Sequence, residues 1–532
     1  MKSECSYVPI RKTGKFSPIV CDYIDQDPFL KPFYEAAPTL ENFAGFIERK
    51  SQEACNRNLL VDVLKEQYLA AGIFDESVSN SIDRLRSNAC FTITTGQQIG
   101  ILLGPLYTTL KIISAVRMAE ELRKTYTNHD FIPVFWMATE DHDVEEINHV
   151  SVLGKNVRWN TDQKGPVGRF SNAGMEKVLE ELKELSGKSA DANWLMEIYT
   201  KAYALPTLSL ATRYLVHAIL GDLGVLILDA DDKRLKQDFA VMMAKDIVEK
   251  NSFRAIENTR SKIEERYKTQ VKGREINFFY MLDGYRERII EEEGTFKTHD
   301  AKHTWNTYEL TTEITEFPER FSPNVVMRPL YQETILPNIA YIGGGAEISY
   351  WLEFADIFKH YQIPYPALIL RQSAMVIDKV NSLRIQKLGL ESSDLFLDFH
   401  VLEKKITLSL SEHDLELQAE RKQLHEITER LNKIALDIDF SLSQSTESLN
   451  KRIENQLERF SKKLIRAQKK KLLVEIERLK SIWEKIYPIG TLQERKESIH
   501  TLIVLHSNSI TMDLHTQSNP FQGQFLIIQK SV

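Results

Sequence analysis

Hydrophobic and polar residues follow three different rhythms along this chain. Through the first 90 or so residues, after an irregular start, Leu59, Val63, Tyr68, Ile82 and Leu85 recur at roughly helical spacing. That predicts a mostly helical segment with no clustered chemistry. From Cys90 the rhythm shortens. Residues 91–95 (FTITT) read as a β-branched strand, Gly96, Gly100 and Gly104 punctuate the turn after it, and Pro105 opens a helix striped by Leu106, Leu110, Ile113 and Val116. Residues 131–137 (FIPVFWM) form a second buried strand leading into an acidic helix from Glu140. A helix around 214–220 ends near Gly221 and Gly224, and 225–229 (VLILD) is a third strand. Residues 325–328 are expected as a fourth strand, followed by a longer connection to the glycines at 343–345 and a helix over 348–360; 367–371 (ALILR) is a fifth.

Short apolar runs alternating with helices imply βαβ units and a parallel sheet, hence an α/β fold with a Rossmann-like core. The gaps at about 161–205 and 236–320 are too long for simple crossovers and read as inserted subdomains. A third rhythm holds from about 411 to 487. Leu417, Leu424, Leu431 and Ile438 fall seven apart, with Ile427 and Ile434 at complementary positions. After a polar turn at 441–446, Ile453, Leu457, Phe460, Leu464 and Ala467 resume the spacing, so two long helices are expected to form an antiparallel coiled-coil hairpin ended by Pro488 and Gly490. The final residues return to short strands, such as 502–505 and 525–528. Four segments result: 1–90, helical and packed on the core; 91–400, the core with its two insertions; 401–488, the coiled coil; and 489–532, returning to the core.

Composition narrows the function. Of 532 residues, 42% are hydrophobic and 27% charged, as in a well-folded soluble protein. The net charge of −7 argues against a dedicated nucleic-acid binder, which needs surplus Lys and Arg. No run approaches the roughly 18 apolar residues of a membrane span, and the start lacks a secretory apolar stretch, so a cytoplasmic location is expected. Cys5, Cys21, Cys55 and Cys90 are widely spaced, giving neither a disulfide framework nor a thiolate zinc pattern.

Two stretches concentrate candidate chemistry. In residues 94–111 (TTGQQIGILLGPLYTTLK), a glycine turn at a positive helix end suits phosphate or carboxylate, with Gly96, Gln97, Gln98, Gly100 and Gly104 as the cradle. Tyr107 and Lys111, off the apolar stripe, can reach back to the turn. The spacing matches neither a dinucleotide fingerprint nor a standard phosphate loop. In residues 136–149 (WMATEDHDVEEINH), Glu140, Asp141 and Asp143 surround His142 at the edge where parallel sheets bind ligands, which favours acid/base work. His142, Glu146 and His149 would share a helix face. That leaves open a metal-dependent hydrolase built on Asp141, His142 and His149, although the spacing is no established zinc pattern. Further candidates sit at other strand ends: Asp229 (with Asp231 and Asp232 as helix caps), Arg328 and Gln332, Gly344 and Glu347, and Arg371 as a carboxylate or phosphate clamp. Lys462, Lys463, Arg466 and the lysines at 469–471 are expected on a solvated face of the coiled coil.

The two leading stretches, together with ILDADDKRLK, GGGAEISYW, LILRQSA and IYPIGTLQERKES, closely resemble the bacillithiol-biosynthesis cysteine-adding enzymes, the BshC family, from residue 1 to the C-terminus. The resemblance implies a Rossmann-like core with two connecting-peptide insertions and a coiled coil that assists homodimerisation. It also implies a ligase that joins the carboxyl of cysteine to the amine of glucosaminyl-malate. On that reading His142, oriented by Asp141 or Asp143, takes a proton from the attacking amine, while the glycine turn and Lys111 hold an anion. Glu347 or Asp229 binds the cysteine ammonium, and Arg371 a carboxylate. The turn TGQQIG lacks the histidine of the class I synthetase motif, and no KMSKS-like loop is found. No cofactor is therefore assigned, and use of ATP or another nucleotide stays open.

Overall fold

The computed structural model describes residues 3–530 and divides into two units, residues 5–376 with 491–528, and residues 377–490 with the chain ends. In the first unit, a five-stranded all-parallel sheet is assembled from β1 (Cys90–Gln97), β2 (Asp130–Met137), β3 (Leu226–Asp229), β4 (Asn338–Gly343) and β5 (Ala367–Leu370), in the order β5-β4-β1-β2-β3. The central strands read as continuous apolar or β-branched runs because both faces are covered. Phe91 and Ile93 of β1, Phe131 of β2, Ile342 of β4 and Ile369 of β5 pack with Met118 and Leu122 of α1 (Leu106–Thr125) and with Phe43 and Phe46 of the N-terminal segment. Removing one such ring costs about 3–5 kcal/mol. The register aligns Gln97 with Met137 and Met137 with Asp229, so the carboxyl ends of β1, β2 and β3 form one edge.

Four expectations are corrected here. Residues 325–328 are not a strand. The Asn324 side chain accepts from the amides of Val326 and Met327, closing a turn that leads into α4 (Arg328–Ile335), and the sheet's fourth strand is β4. The acidic helix from Glu140 shrinks to one turn, α2 (Val144–Ile147), capped by Asp143, so His142 precedes it and His149 begins a hairpin strand. The helix expected over 348–360 is two, α5 (Gly345–Leu352) and Ala355–Tyr361. Residues 502–505 lie in the helix Ile499–His506, capped by Ser498, because a short buried apolar run has no period of its own.

The gap at 161–205 holds the helices Met175–Ser186 and Ala190–Tyr203. The gap at 236–320 holds α3 (Lys233–Glu249), the helix Asn251–Ile263 and an antiparallel sheet that includes Phe278–Leu282 and Tyr285–Glu292.

The second unit contains the hairpin of α6 (Gln418–Ile438) and α7 (Ser443–Lys471). Its internal seam is more polar than the heptads suggest. Thr428 and Ala435 are buried, Thr428 bonds Asn450, and Asn432 receives the hydroxyl of Thr446, while Ile427, Leu431, Ile434 and Ile438 stay exposed. Lys462 and Arg466 are exposed, as expected of a solvated face, and with Lys469, His400, Lys404 and Arg421 they line a hollow of about 530 Å³. No helix among the described residues is long and apolar enough to cross a membrane.

Candidate active site

A cavity of about 970 Å³ opens at the carboxyl edge of the sheet, where parallel α/β sheets place their ligands. Strand ends and the loops after them supply its floor: Gly96, Gln97 and Gln98 after β1, Glu140 to His142 after β2, and Gly344 to Glu347 after β4. The second insertion supplies a wall with Lys272, Arg274, Phe279 and Arg286, and Arg495 arrives from the C-terminal segment. Seven Lys or Arg side chains and four Asp or Glu side chains line the cavity.

Pairing among these charges decides which are available to a ligand. Lys111, on α1 and almost fully buried, donates to the Gly96 carbonyl (2.9 Å), to Gln97 Oε1 (2.8 Å) and to Glu347. Its three donors are spent, so it braces the strand end instead of presenting a free anion hook. Burial raises the cost of the Glu347 charge. Lys111, the Tyr341 hydroxyl (2.6 Å) and the Gly344 amide (2.8 Å) outweigh that cost and hold its carboxyl below the usual range. The expected ammonium site at Glu347 is therefore filled from within. Arg371 forms a bidentate pair with Glu494 (2.8 and 2.9 Å), with side chains 6% and 1% exposed, and so is not a free clamp. Asp229 accepts from Thr139 (2.5 Å) and Ser209 and does not line the cavity.

The glycine turn also differs from its expected role. The first amide of α1, Leu106 N–H, donates to the Glu497 carbonyl (2.7 Å), and Leu102 N–H donates to the Tyr203 hydroxyl. Gly104 has φ of +64°, and a Cβ on Gly100 would come within 3.3 Å of Gly104 Cα. Gly100 and Gly104 thus serve a tight fold-back that is filled by protein, and only Gly96, Gln97 and Gln98 of the turn reach the cavity.

Around His142 the decisive neighbour is Arg286, on the strand Tyr285–Glu292. Its guanidinium lies 3.9 Å from the Phe279 ring centroid, donates to Ser322 Oγ, and approaches His142 Nδ1 at 2.7 Å. A guanidinium only donates, so Nδ1 accepts, and the ring proton of the neutral imidazole sits on Nε2. The 3.4 Å approach of Nδ1 to Asp141 is then electrostatic contact, not a donated bond. In this tautomer the imidazole offers the cleft an N–H donor at Nε2. Asp141 is buried against its charge, but the His142 side chain, Arg286, the His142 amide and Gln98 hold its carboxyl well below the usual range. Glu140 faces Lys236 (2.5 Å), which also binds Asp231 (3.0 Å). Burial opposes the Lys236 charge, but the two carboxylates raise its pKa.

His149 bonds Asn148, Asp143 caps α2, and Gln332 is buried against Arg328 and Glu333; none of the three lines the cavity. No cluster of three metal-ligating side chains occurs among the described residues, and Asp141, His142 and His149 are not gathered.

What remains unpaired is distinctive. Arg328 lies over Trp136 and Tyr341 with only Gln332 as a bonding partner, and Lys272, Arg274 and Arg495 have no ion-pair partner among the described residues. The loop carrying Lys272 and Arg274 is itself fastened. Glu353 accepts the amides of Gln270 and Val271, a Cβ on Gly273 would come within 2.5 Å of Ile256, and Asn277 donates to the Arg274 carbonyl. Among the lining carboxylates, Glu146 alone has no hydrogen-bonded or ionic partner within the described residues.

Comparison with known proteins follows this geometry. Residues 2–372 match the model for the bacillithiol biosynthesis BshC N-terminal Rossmann-like domain, and 374–530 match the BshC C-terminal coiled-coil domain. The chain belongs to the BshC family. Relatives carrying the name "Putative cysteine ligase BshC" include one from Flavobacterium psychrophilum, 36% identical over 99% of this chain and 100% of its own. One from Christiangramia forsetii is 35% identical over 99% of both chains, and one from Bacillus cytotoxicus is 28% identical over 90% and 91%. In this BshC-family chain, the cleft residues that sequence reasoning missed are Arg286, Lys272 and Arg274 in the second insertion and Arg495 in the late segment. The family-like wording TLQER marked the last; nothing local marked the others.

Proposed function

We propose that the protein is a cysteine ligase of bacillithiol biosynthesis that forms an amide between the cysteine carboxyl and the amine of glucosaminyl-malate. Besides family membership, one observation supports this reading: unpaired Arg328, Lys272, Arg274 and Arg495 share a cleft with a single unpaired carboxylate, Glu146. A substrate with two malyl carboxylates and one amine has the complementary charges. Arg328, held against two aromatic rings, takes a malyl carboxylate, and the Lys272–Arg274 loop takes the other anionic group. The Nε2–H of His142, fixed by Arg286, points its hydrogen bond at the oxygen of the reacting carboxyl, where negative charge grows as the amine adds. Arg286 and Asp141 keep that donor oriented. The exposed Ile427, Leu431, Ile434 and Ile438 support a second copy of the chain covering the coiled coil, giving a homodimer.

The test is genetic. A bacterium lacking its own family member should regain bacillithiol, detected by thiol labelling, when this chain is expressed. Accumulation of glucosaminyl-malate with no bacillithiol, despite folded protein, would contradict the assignment.

A further inference from the structure

We propose that Glu146 is the general base that removes the protons from the attacking amine, an inference that rests on the ligase reading above. The other acidic groups of the cleft are already engaged. Asp141 is held by Arg286 and Gln98, Glu140 by Lys236, and Glu347 by Lys111 and Tyr341. His142 presents a donor. Glu146 is the remaining lining group that can accept a proton, and no Lys or Arg among the described residues lies within ion-pair distance of it. Its backbone is fixed all the same, because its amide bonds the Asp143 cap of α2 and its neighbour Ile147 is fully buried. The side chain therefore projects from an anchored turn into the cavity.

Its surroundings suit the task. Asp141 and Asp143 on its own loop face it, as do Tyr107 and Lys111 from α1. Partial burial, then repulsion from the two aspartates, raises its carboxyl above the ordinary range, with Lys111 opposing. A carboxylate raised above the ordinary range is a stronger base than a free one.

The amine arrives as an ammonium, and Glu146 accepts one proton and releases it to solvent, freeing the nitrogen lone pair. The nitrogen then attacks the carbonyl of a cysteine activated as a mixed acid anhydride. The C–N bond forms, the C–O bond to the leaving acid breaks with its electron pair, and the regenerated carboxylate takes the second proton.

The experiment adds purified wild type, Glu146→Gln or Glu146→Asp to extracts of cells lacking their own family member, supplied with cysteine and glucosaminyl-malate. Initial rates of bacillithiol formation are followed by mass. The Gln variant should be about 100-fold slower with an unchanged unfolding temperature, and the Asp variant should recover part of the loss. A Gln variant within about threefold of wild type overturns the role of Glu146 and leaves the ligase reading standing. No product from wild type overturns the ligase reading, and this proposal falls with it.

Discussion

Arg371 separates a structural pair from a substrate clamp, and the two readings predict opposite effects. Its guanidinium makes two bonds to Glu494 and further bonds to the Gln372 carbonyl and Ser373 Oγ, and Glu494 also accepts the Ala374 amide. Both side chains are nearly sealed from water. Glu494→Ala leaves a buried guanidinium without its counter-charge, which costs about 3–5 kcal/mol. Arg371→Met leaves a buried carboxylate and should cost a similar amount. The double variant Arg371→Met/Glu494→Leu removes both charges and should cost clearly less than the sum, a coupling of at least about 2 kcal/mol. Urea unfolding followed by tryptophan fluorescence on the four proteins measures this. A stability change below about 0.5 kcal/mol for Arg371→Met, with weakened substrate binding in its place, would refute the pairing argument and restore the clamp.

Three shorter predictions follow. His500 is fully buried between Ser186 and Tyr199, and burial lowers its pKa to about 4. As pH falls below about 6.5 the unfolded chain gains a proton that the folded one refuses, so stability should drop by ~2 kcal/mol between pH 7 and 5 and level off near pH 4. Urea midpoints of wild type and His500→Gln across that range test this, and equal slopes in the two would contradict it. Arg328→Ala should raise the KM for glucosaminyl-malate about 10–100-fold through loss of a charge-assisted bond worth about 1.5–3 kcal/mol, with a smaller change in kcat; an unchanged KM would remove Arg328 from the site. Ile434→Glu places a charge in the exposed coiled-coil stripe and should turn a dimer into a monomer by light scattering; a wild type that is already monomeric would contradict the homodimer.

The parts of this molecule legible in its sequence are those written locally. Residues 91–95, 131–137, 226–229 and 367–370 became strands because a continuous apolar or β-branched run between turn signals has few alternatives. Their carboxyl ends located the cleft. Residues 325–328 misled because one side chain, Asn324, offered the backbone a turn that competes with strand pairing. The availability of charge was not legible. Lys111, Glu347 and Arg371 have the residue types of ligand-binding groups, yet each is cancelled by a partner distant in sequence; Arg371 and Glu494 lie 123 positions apart. Arg286 lies 144 positions from the His142 nitrogen it occupies, and that contact places the proton of a neutral ring on Nε2. Spacing along a helix shows which side chains can meet, but only the fold shows which charges already have.

The central claim is that this cleft joins cysteine to glucosaminyl-malate. Its most direct test incubates the purified protein with both compounds, with and without ATP and magnesium, and follows thiol products by mass. The expected product is an amide equal in mass to the two substrates less one water, which depends on the protein and forms about 100-fold more slowly with Glu146→Gln. Intact substrates in every condition, with a folded protein that binds neither of them, would contradict it.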